Sequence, residues 1–277
     1  MKTIVYQSYW GNETPSWLLT CMQTVKNWAE AQGYDYQRED NFFDYVPDWY
    51  IDKAQGKINV IADLARLEIA KKFLDSGYNK TIWMDADVVV FAPDDLIIDT
   101  TEDYLLCREV WLDTQGDKNL EEGTLFYLEK VTNTFVYFTQ NNSFLDFYRD
   151  ATKSIVKNQT EPLSRLAVST NFLSNLYKIM ELPLFPNMGL FSPILMQGIV
   201  EDRSEVLQLY AKALIAPVYA ANLCLSFRNQ YNKGIMVTDE FFEQVIDKLI
   251  QSKGEMINQH LPFSINTKKV ENAKEQN

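Results

Sequence analysis

Two carboxylates set two residues apart in an otherwise apolar run are the feature of this 277-residue chain most able to do chemistry. The run is Tyr78 to Phe91, Tyr-Asn-Lys-Thr-Ile-Trp-Met-Asp-Ala-Asp-Val-Val-Val-Phe, and the acids are Asp85 and Asp87. Side chains at i and i+2 of an extended segment point to one side, so both carboxylates can face one point. Buried charges need partners. Mg²⁺ or Mn²⁺ suits carboxylate oxygens and leaves positions open for water and substrate phosphates. The plain alternative is a strand end reaching solvent with both aspartates hydrated. Asp-x-Asp alone does not separate the two, so the surrounding elements must.

Those elements are legible from periodicity. Thr3 to Tyr9 reads as a first strand emptying into a loop at Gly11 and Asn12. Trp17, Leu18, Cys21, Val25, Trp28 and Ala29 recur at helical spacing from Pro15, with Gly33 as C-cap. Tyr34 and Tyr36 alternate in a second strand, and Asn41 to Gln55, broken by Pro47, reads as a loop. Ile58 to Leu74 is the clearest helix, with an apolar face of Ile61, Leu64, Leu67, Ile69, Ala70 and Phe73 closed by Gly77. The Tyr78 to Phe91 strand follows directly. This alternation predicts an α/β fold with a Rossmann-like, doubly wound, mostly parallel central sheet flanked by helices. Ligands of such sheets bind beyond the carboxyl ends of strands, where Asp85, Asp87 and Gln7 to Tyr9 fall.

Further on, Tyr104 to Leu112 and Thr134 to Thr139 read as strands around an acidic loop, Asp113 to Gly123. Ser143 to Val156, Val168 to Met180 and Phe241 to Ile250 read as helices, and Pro183 to Pro193 as a loop. The reading is one domain over 1–263, then a polar tail, 264–277.

Composition narrows the function. With 26 basic and 38 acidic residues the formal charge is −12, and no basic patch of any length offers a surface to nucleic acid or anionic lipid. A diphosphate ligand would therefore need a metal or specific cationic contacts. Three widely spaced cysteines, Cys21, Cys107 and Cys224, lack metal-ligand spacing and fit buried apolar positions in a reducing compartment. The amino terminus shows no secretory signal. The most membrane-like window, Leu209 to Phe227, is interrupted by Lys212, Pro217 and Asn222, and reads as buried helix followed by loop or strand rather than a transmembrane segment.

Taken together, Ala62-Asp63-Leu64-Ala65-Arg66 on a helix, Gly77-Tyr78, and Trp83-Met84-Asp85-Ala86-Asp87-Val88 resemble the nucleotide-sugar glycosyltransferases of the GT-A fold. The likeness is to the capsular-polysaccharide-type transferases and related families with an Asp-x-Asp (DXD) motif. Cys21 through Ala29, Asn133, and Asn141 through Tyr148 add to the likeness, which covers roughly the first 150 residues. It implies a nucleotide-binding half (1–100) and an acceptor-side half (101–263) of a single GT-A-like domain over 1–263.

The resemblance implies transfer of a sugar from a UDP- or GDP-sugar donor to a hydroxyl of a glycan, lipid-linked or protein acceptor in glycan or polysaccharide biosynthesis. Asp85 and Asp87 would hold Mn²⁺ or Mg²⁺, which bridges the diphosphate and neutralises charge on the leaving group. Asp63 and Arg66, three apart on one helix face, would touch nucleotide or sugar, the alternative being a surface ion pair. Gln7, Ser8 and Tyr9 would meet base and ribose, with Ala86 and Asn133 completing the donor site. Tyr9 in the core and Asn133 as an ordinary strand-entry residue are the alternatives. Ser169-Thr170-Asn171 and Asn187-Met188-Gly189 would be acceptor-side loops, or a plain helix start and turn.

His260, the only histidine, corresponds to a late metal ligand of some relatives, but Leu-Pro-Phe-Ser follows it where they carry glycine and tryptophan. A packing or surface role is the alternative. For an inverting transfer Glu109, Asp113 and Asp202 are candidate bases that spacing does not rank. In a retaining transfer, to which the nearest-looking relatives tend, the leaving phosphate takes the proton and no protein base is required, so the sequence assigns no base. The implied location is cytoplasmic, free or peripheral to a membrane. Two rival readings stand: a catalytically inactive sugar-nucleotide-binding protein, and a haloacid-dehalogenase-type phosphatase with Asp85 as nucleophile.

Overall fold

The computed structural model describes residues 1–11, 13–140 and 142–263; Asn12, Asn141 and the expected tail lie outside them. The first half runs β1 (Thr3–Gln7), α1 (Ser16–Ala31), β2 (Asp35–Arg38), α2 (Asp48–Ala54), α3 (Ile58–Asp75), β3 (Lys80–Met84), β4 (Val88–Val90), β5 (Tyr104–Thr114) and β6 (Leu125–Thr139). Then come α4 (Ser143–Asn158), α5 (Thr170–Tyr177), β7 (Leu184–Phe185), β8 (Met188–Leu190), α6 (Pro193–Val200) and α7 (Ser204–Ala213). Last are β9 (Ala220–Asn222), the hairpin of β10 (Tyr231–Asn232) and β11 (Ile235–Met236), α8 (Asp239–Ser252) and α9 (Glu255–Asn258).

β1 is buried along its whole length, as a central strand covered on both faces must be. Its period of two divides the core. Ile4 and Tyr6 pack with the apolar face of α3, while Val5 packs with Val25, Trp28 and Ala29 of α1. The main sheet has the order β2-β1-β3-β6-β5-β7. β1 is parallel to both β2 and β3, and β5 is parallel to β7; only β6 runs against its neighbours. The sheet is thus mostly parallel and flanked by helices. β4, β9 and β8 form a second, three-stranded sheet.

Both expected glycine stops are Schellman caps. Gly33 and Gly77 adopt φ of +72° and +103°. The following tyrosine N–H in each case reaches back five residues, Tyr34 to Ala29 O at 2.9 Å and Tyr78 to Phe73 O at 3.2 Å. Tyr78 also packs edge-on against Phe73, which turns the chain directly from α3 into β3.

Three expectations are corrected. The Tyr78 to Phe91 run is not one strand. A turn closed by Val88 N–H donating to Asp85 O at 3.1 Å separates β3 and β4, which belong to different sheets. Asn41 to Gln55 holds a 3-10 turn, Phe42–Tyr45, and α2. Pro47 sits at the entrance of α2, where a fixed φ and a missing N–H cost nothing. Pro183 to Pro193 contains β7 and β8, and Pro193 is the first residue of α6, behind a Ser192 cap.

Candidate active site

The strand order reverses around β1, so the crevice beyond the carboxyl ends of β1 and β3 is a topological switch point. Asp85, Ala86 and Asp87 form the turn there. The β6 backbone and a β1 side chain fix that turn. Asp85 N–H donates to Thr134 O on β6 at 3.0 Å. Asp85 O accepts from Gln7 Nε2 on β1 at 2.9 Å, and Gln7 Oε1 accepts in turn from the Tyr36 hydroxyl on β2 at 3.0 Å. β6 meets this turn at a bulge. Its register against β5 jumps from Leu106↔Val136 to Cys107↔Thr132, leaving residues 133–135 without β5 partners while Phe135 pairs with Met84. The bulge re-aims Asn133 towards α3.

The two aspartates converge although no extended segment carries them. Asn222 at the end of β9 donates through Nδ2 to Asp87 Oδ1 at 2.7 Å and to Asp85 Oδ2 at 3.3 Å. Its own Oδ1 accepts from Cys224 N–H, which orients the amide. Asp87 Oδ2 accepts from Leu225 N–H at 2.6 Å. Asp85 Oδ1 accepts from Trp83 Nε1 at 2.7 Å and pairs with Arg66 Nη1 at 3.0 Å.

Arg66 is buried, and both of its terminal nitrogens face protein acceptors. It also donates to Asn133 O at 2.7 Å, pairs with Asp63 Oδ1 at 3.3 Å, and lies 4.8 Å from the Trp83 ring centroid. Asn133 Nδ2 completes the cluster by donating to Asp63 Oδ1 at 2.9 Å and to the Tyr148 hydroxyl. Burial raises the pKa of Asp63, Asp85 and Asp87. Arg66 opposes the rise most at Asp85 and Asp63, and the Leu225 N–H at Asp87, while Asp87 reinforces it at Asp85.

This cluster lines a cavity of about 580 Å³. At one end Ser8, Tyr9, Trp10, Phe42 and Asn59 offer aromatic surface with scattered polar groups. Ser8 Oγ is buried there with no hydrogen-bond partner among the described residues. Across the sheet from β1, on β5 and β6, the wall carries Glu109, Trp111 and Lys130, with Phe227 stacked on Trp111 and Arg165 beside Phe227.

Of the residues singled out in the sequence, Ser8, Tyr9, Asp63, Arg66, Asp85, Ala86, Asp87 and Asn133 all line this cavity, with Ser169 and Thr170. Gln7 stands behind the wall, its amide committed to Asp85 O and Tyr36. The ion pair of Asp63 with Arg66 is buried, not a surface pair. His260 follows α9, away from the cavity wall, and is not brought to the aspartates. Asn187, Met188 and Gly189 also stay outside it, because β8 is paired into the small sheet and Asn187 donates to Pro217 O. Asn222 was missed. The available signal was a lone amide in the apolar window Ala220 to Leu223.

The donor set suits a hard cation. Asp87 carries one hydrogen bond on each oxygen and Asp85 Oδ2 only the long one, so lone pairs remain on both carboxylates. Among the described residues no three His, Cys, Asp or Glu side chains form a ready-made metal cage. Mg²⁺-type sites do not require one, since one or two carboxylates plus substrate phosphates suffice. Among the described residues no helix is long and apolar enough to cross a membrane.

No protein-family model matches the chain, and no curated protein matches it in sequence. Among solved structures it is similar to a glycosyltransferase involved in the glycosylation of the major capsid of PBCV-1, at 11% identity and TM-score 0.46, over 88% of this chain and 99% of that one. It is similar to A197 from STIV at 12% identity and TM-score 0.25, over 64% of this chain and 78% of that one. It is also similar to the apo-form glycosyltransferase GlyE of Streptococcus pneumoniae TIGR4, at 9% identity and TM-score 0.41, over 92% of this chain and 64% of that one.

Proposed function

We propose that the chain is a GT-A-type glycosyltransferase that moves a sugar from a UDP- or GDP-sugar to an acceptor hydroxyl in glycan or polysaccharide synthesis. The observation that carries this reading is the convergence of Asp85 and Asp87 on one cavity at the switch point of a mostly parallel sheet. Asp85 and Asp87 would hold Mn²⁺ or Mg²⁺, which when bound would supply a Lewis acid for the diphosphate leaving group. Arg66 fixes Asp85 and Asp63 in place, since its two terminal nitrogens already face Asp85, Asp63 and Asn133 O. Asn222 keeps both aspartates on one side of the turn. Tyr9 and Trp10 offer stacking surface to a base, and the unpartnered Ser8 hydroxyl offers it a hydrogen bond.

A phosphatase reading asks Asp85 to attack phosphorus, yet its Oδ1 is held by both Trp83 and Arg66, which lowers its nucleophilicity. The binder and the transferase separate by turnover. With Mn²⁺ and a panel of UDP- and GDP-sugars, the wild-type chain should release nucleoside diphosphate, and Asp87→Ala should fold but lose that release. Activity of Asp87→Ala at saturating Mn²⁺ would refute the proposal, and binding without turnover in the wild type would favour the binder.

A further inference from the structure

The half of the cavity away from Ser8 and Tyr9 carries groups that donor binding leaves unused. Glu109 on β5 is only 4% exposed, yet its residue lines the cavity. Among the described residues no hydrogen bond or ion pair holds its carboxylate. Lys130, directly across on β6, is its one cationic neighbour, and burial still pushes the carboxyl up to about 7. The other acids that the sequence offered are committed elsewhere, Asp113 to Lys233 and Asp202 to Lys248. Two residues along β5, on the same face as Glu109, Trp111 stacks with Phe227, with ring centroids 5.8 Å apart and planes at 29°. The Arg165 guanidinium lies 5.9 Å from the Phe227 ring, and all three side chains belong to the cavity wall.

We infer that this half is the acceptor subsite, that it takes a saccharide lying on the Trp111–Phe227 platform, and that Glu109 is the catalytic base. The inference rests on the reading of the site as a nucleotide-sugar transferase and adds the acceptor class and the base to it. A sugar ring presents an apolar C–H face to aromatic rings and keeps its hydroxyls at the rim, which suits stacked aromatics flanked by a carboxylate and two cations. A buried acid without a hydrogen-bond partner disfavours folding, so its presence in the wall of a cavity points to use there. In the reaction the acceptor O–H bond breaks and its proton passes to the Glu109 carboxylate. The oxygen's electron pair forms the new bond to the anomeric carbon. The bond from that carbon to phosphate oxygen breaks, and its electrons leave with the nucleoside diphosphate. Attack from the side opposite the leaving group inverts the anomeric configuration.

The test compares wild type, Glu109→Gln and Trp111→Ala with Mn²⁺, UDP- and GDP-sugars, and a panel of p-nitrophenyl glycosides as acceptors. Glu109→Gln should keep the thermal stabilisation given by Mn²⁺ with UDP or GDP but transfer about 10²–10⁴-fold more slowly. Trp111→Ala should raise KM for the glycoside more than tenfold with a smaller change in kcat. The wild-type product should have inverted configuration by NMR, a readout independent of how well any variant folds. Transfer by Glu109→Gln within threefold of wild type, or a product of retained configuration, would overturn this inference alone. Absence of any stabilisation of the wild type by Mn²⁺ with either nucleotide would overturn it together with the transferase reading.

Discussion

Replacing Glu109 by Gln should make the folded chain more stable at alkaline pH while disabling it. The carboxyl is displaced from its ordinary 4.5 to about 7, chiefly by burial and against the pull of Lys130. Each whole step of pKa is worth about 1.4 kcal/mol, so a charged Glu109 destabilises the fold by about 3 kcal/mol. Glu109 binds its proton more tightly folded than unfolded, so stability falls as pH rises from about 4.5 to about 7. Below that window the acid is neutral in both states and Gln gains nothing. Above it the gain is complete.

The other titratable groups near Glu109 are Cys107 on the same strand, Cys224 and Tyr210 of α7, and burial keeps all three neutral at pH 8. At about 2–4 °C per kcal/mol for chains near this size, the variant should unfold about 6–12 °C higher at pH 8 and at the wild-type temperature at pH 4.5. Calorimetry of both proteins at both pH values measures this directly. Equal midpoints at pH 8, or an equal gain at both pH values, would refute the picture of an uncompensated buried carboxylate.

Arg66→Leu should cost about 3–5 kcal/mol in urea unfolding at pH 8, because Asp63 and Asp85 lose the buried cation that both face. That loss should shrink as pH falls from 8 to 5, because burial raises both carboxyls and removal of the cation raises them further; an undiminished loss would contradict the account. Gly198→Ala should cost about 1–3 kcal/mol, since its new methyl group would meet Val206 Cγ1 at 2.5 Å between α6 and α7, and adding Val206→Ala should restore part of it. Asn142→Ala should cost about 1 kcal/mol by removing the side-chain cap that accepts from Leu145 N–H at 2.8 Å at the start of α4.

The strand and helix order of the first ninety residues was legible because local signals agreed there. The apolar Ile4–Tyr6 centre of β1, an amphipathic α1, an α3 rich in apolar residues, and glycines at Gly33 and Gly77 all point one way. The site was legible in part for the same reason: Asp63 and Arg66 are near in sequence, and Asp85 with Asp87 nearer still. What could not be read is non-local. Asn222 lies 135 residues from the Asp87 it bonds, and nothing near either residue announces the contact. The bulge that swings Asn133 onto Asp63 arises from pairing β6 with two different strands. The aspartates share a side for a reason other than strand alternation, since a turn and an amide bridge replace the extended segment. Gln7 was placed at the right strand end, yet its amide braces the turn instead of facing the cavity. Pro47 and Pro193 read as breaks because proline ends many elements, whereas here each stands where a helix begins.

The claim on which all of this depends is that Asp85 and Asp87 together hold a divalent cation that holds a nucleotide diphosphate. Anomalous diffraction from crystals soaked in Mn²⁺ with UDP or GDP tests it most directly. The account expects one manganese peak within about 2.0–2.3 Å of oxygens from Asp85 or Asp87, with both carboxylates facing the ion and the diphosphate beside it. Nucleotide bound with both carboxylates turned away, or manganese bound elsewhere, would contradict it.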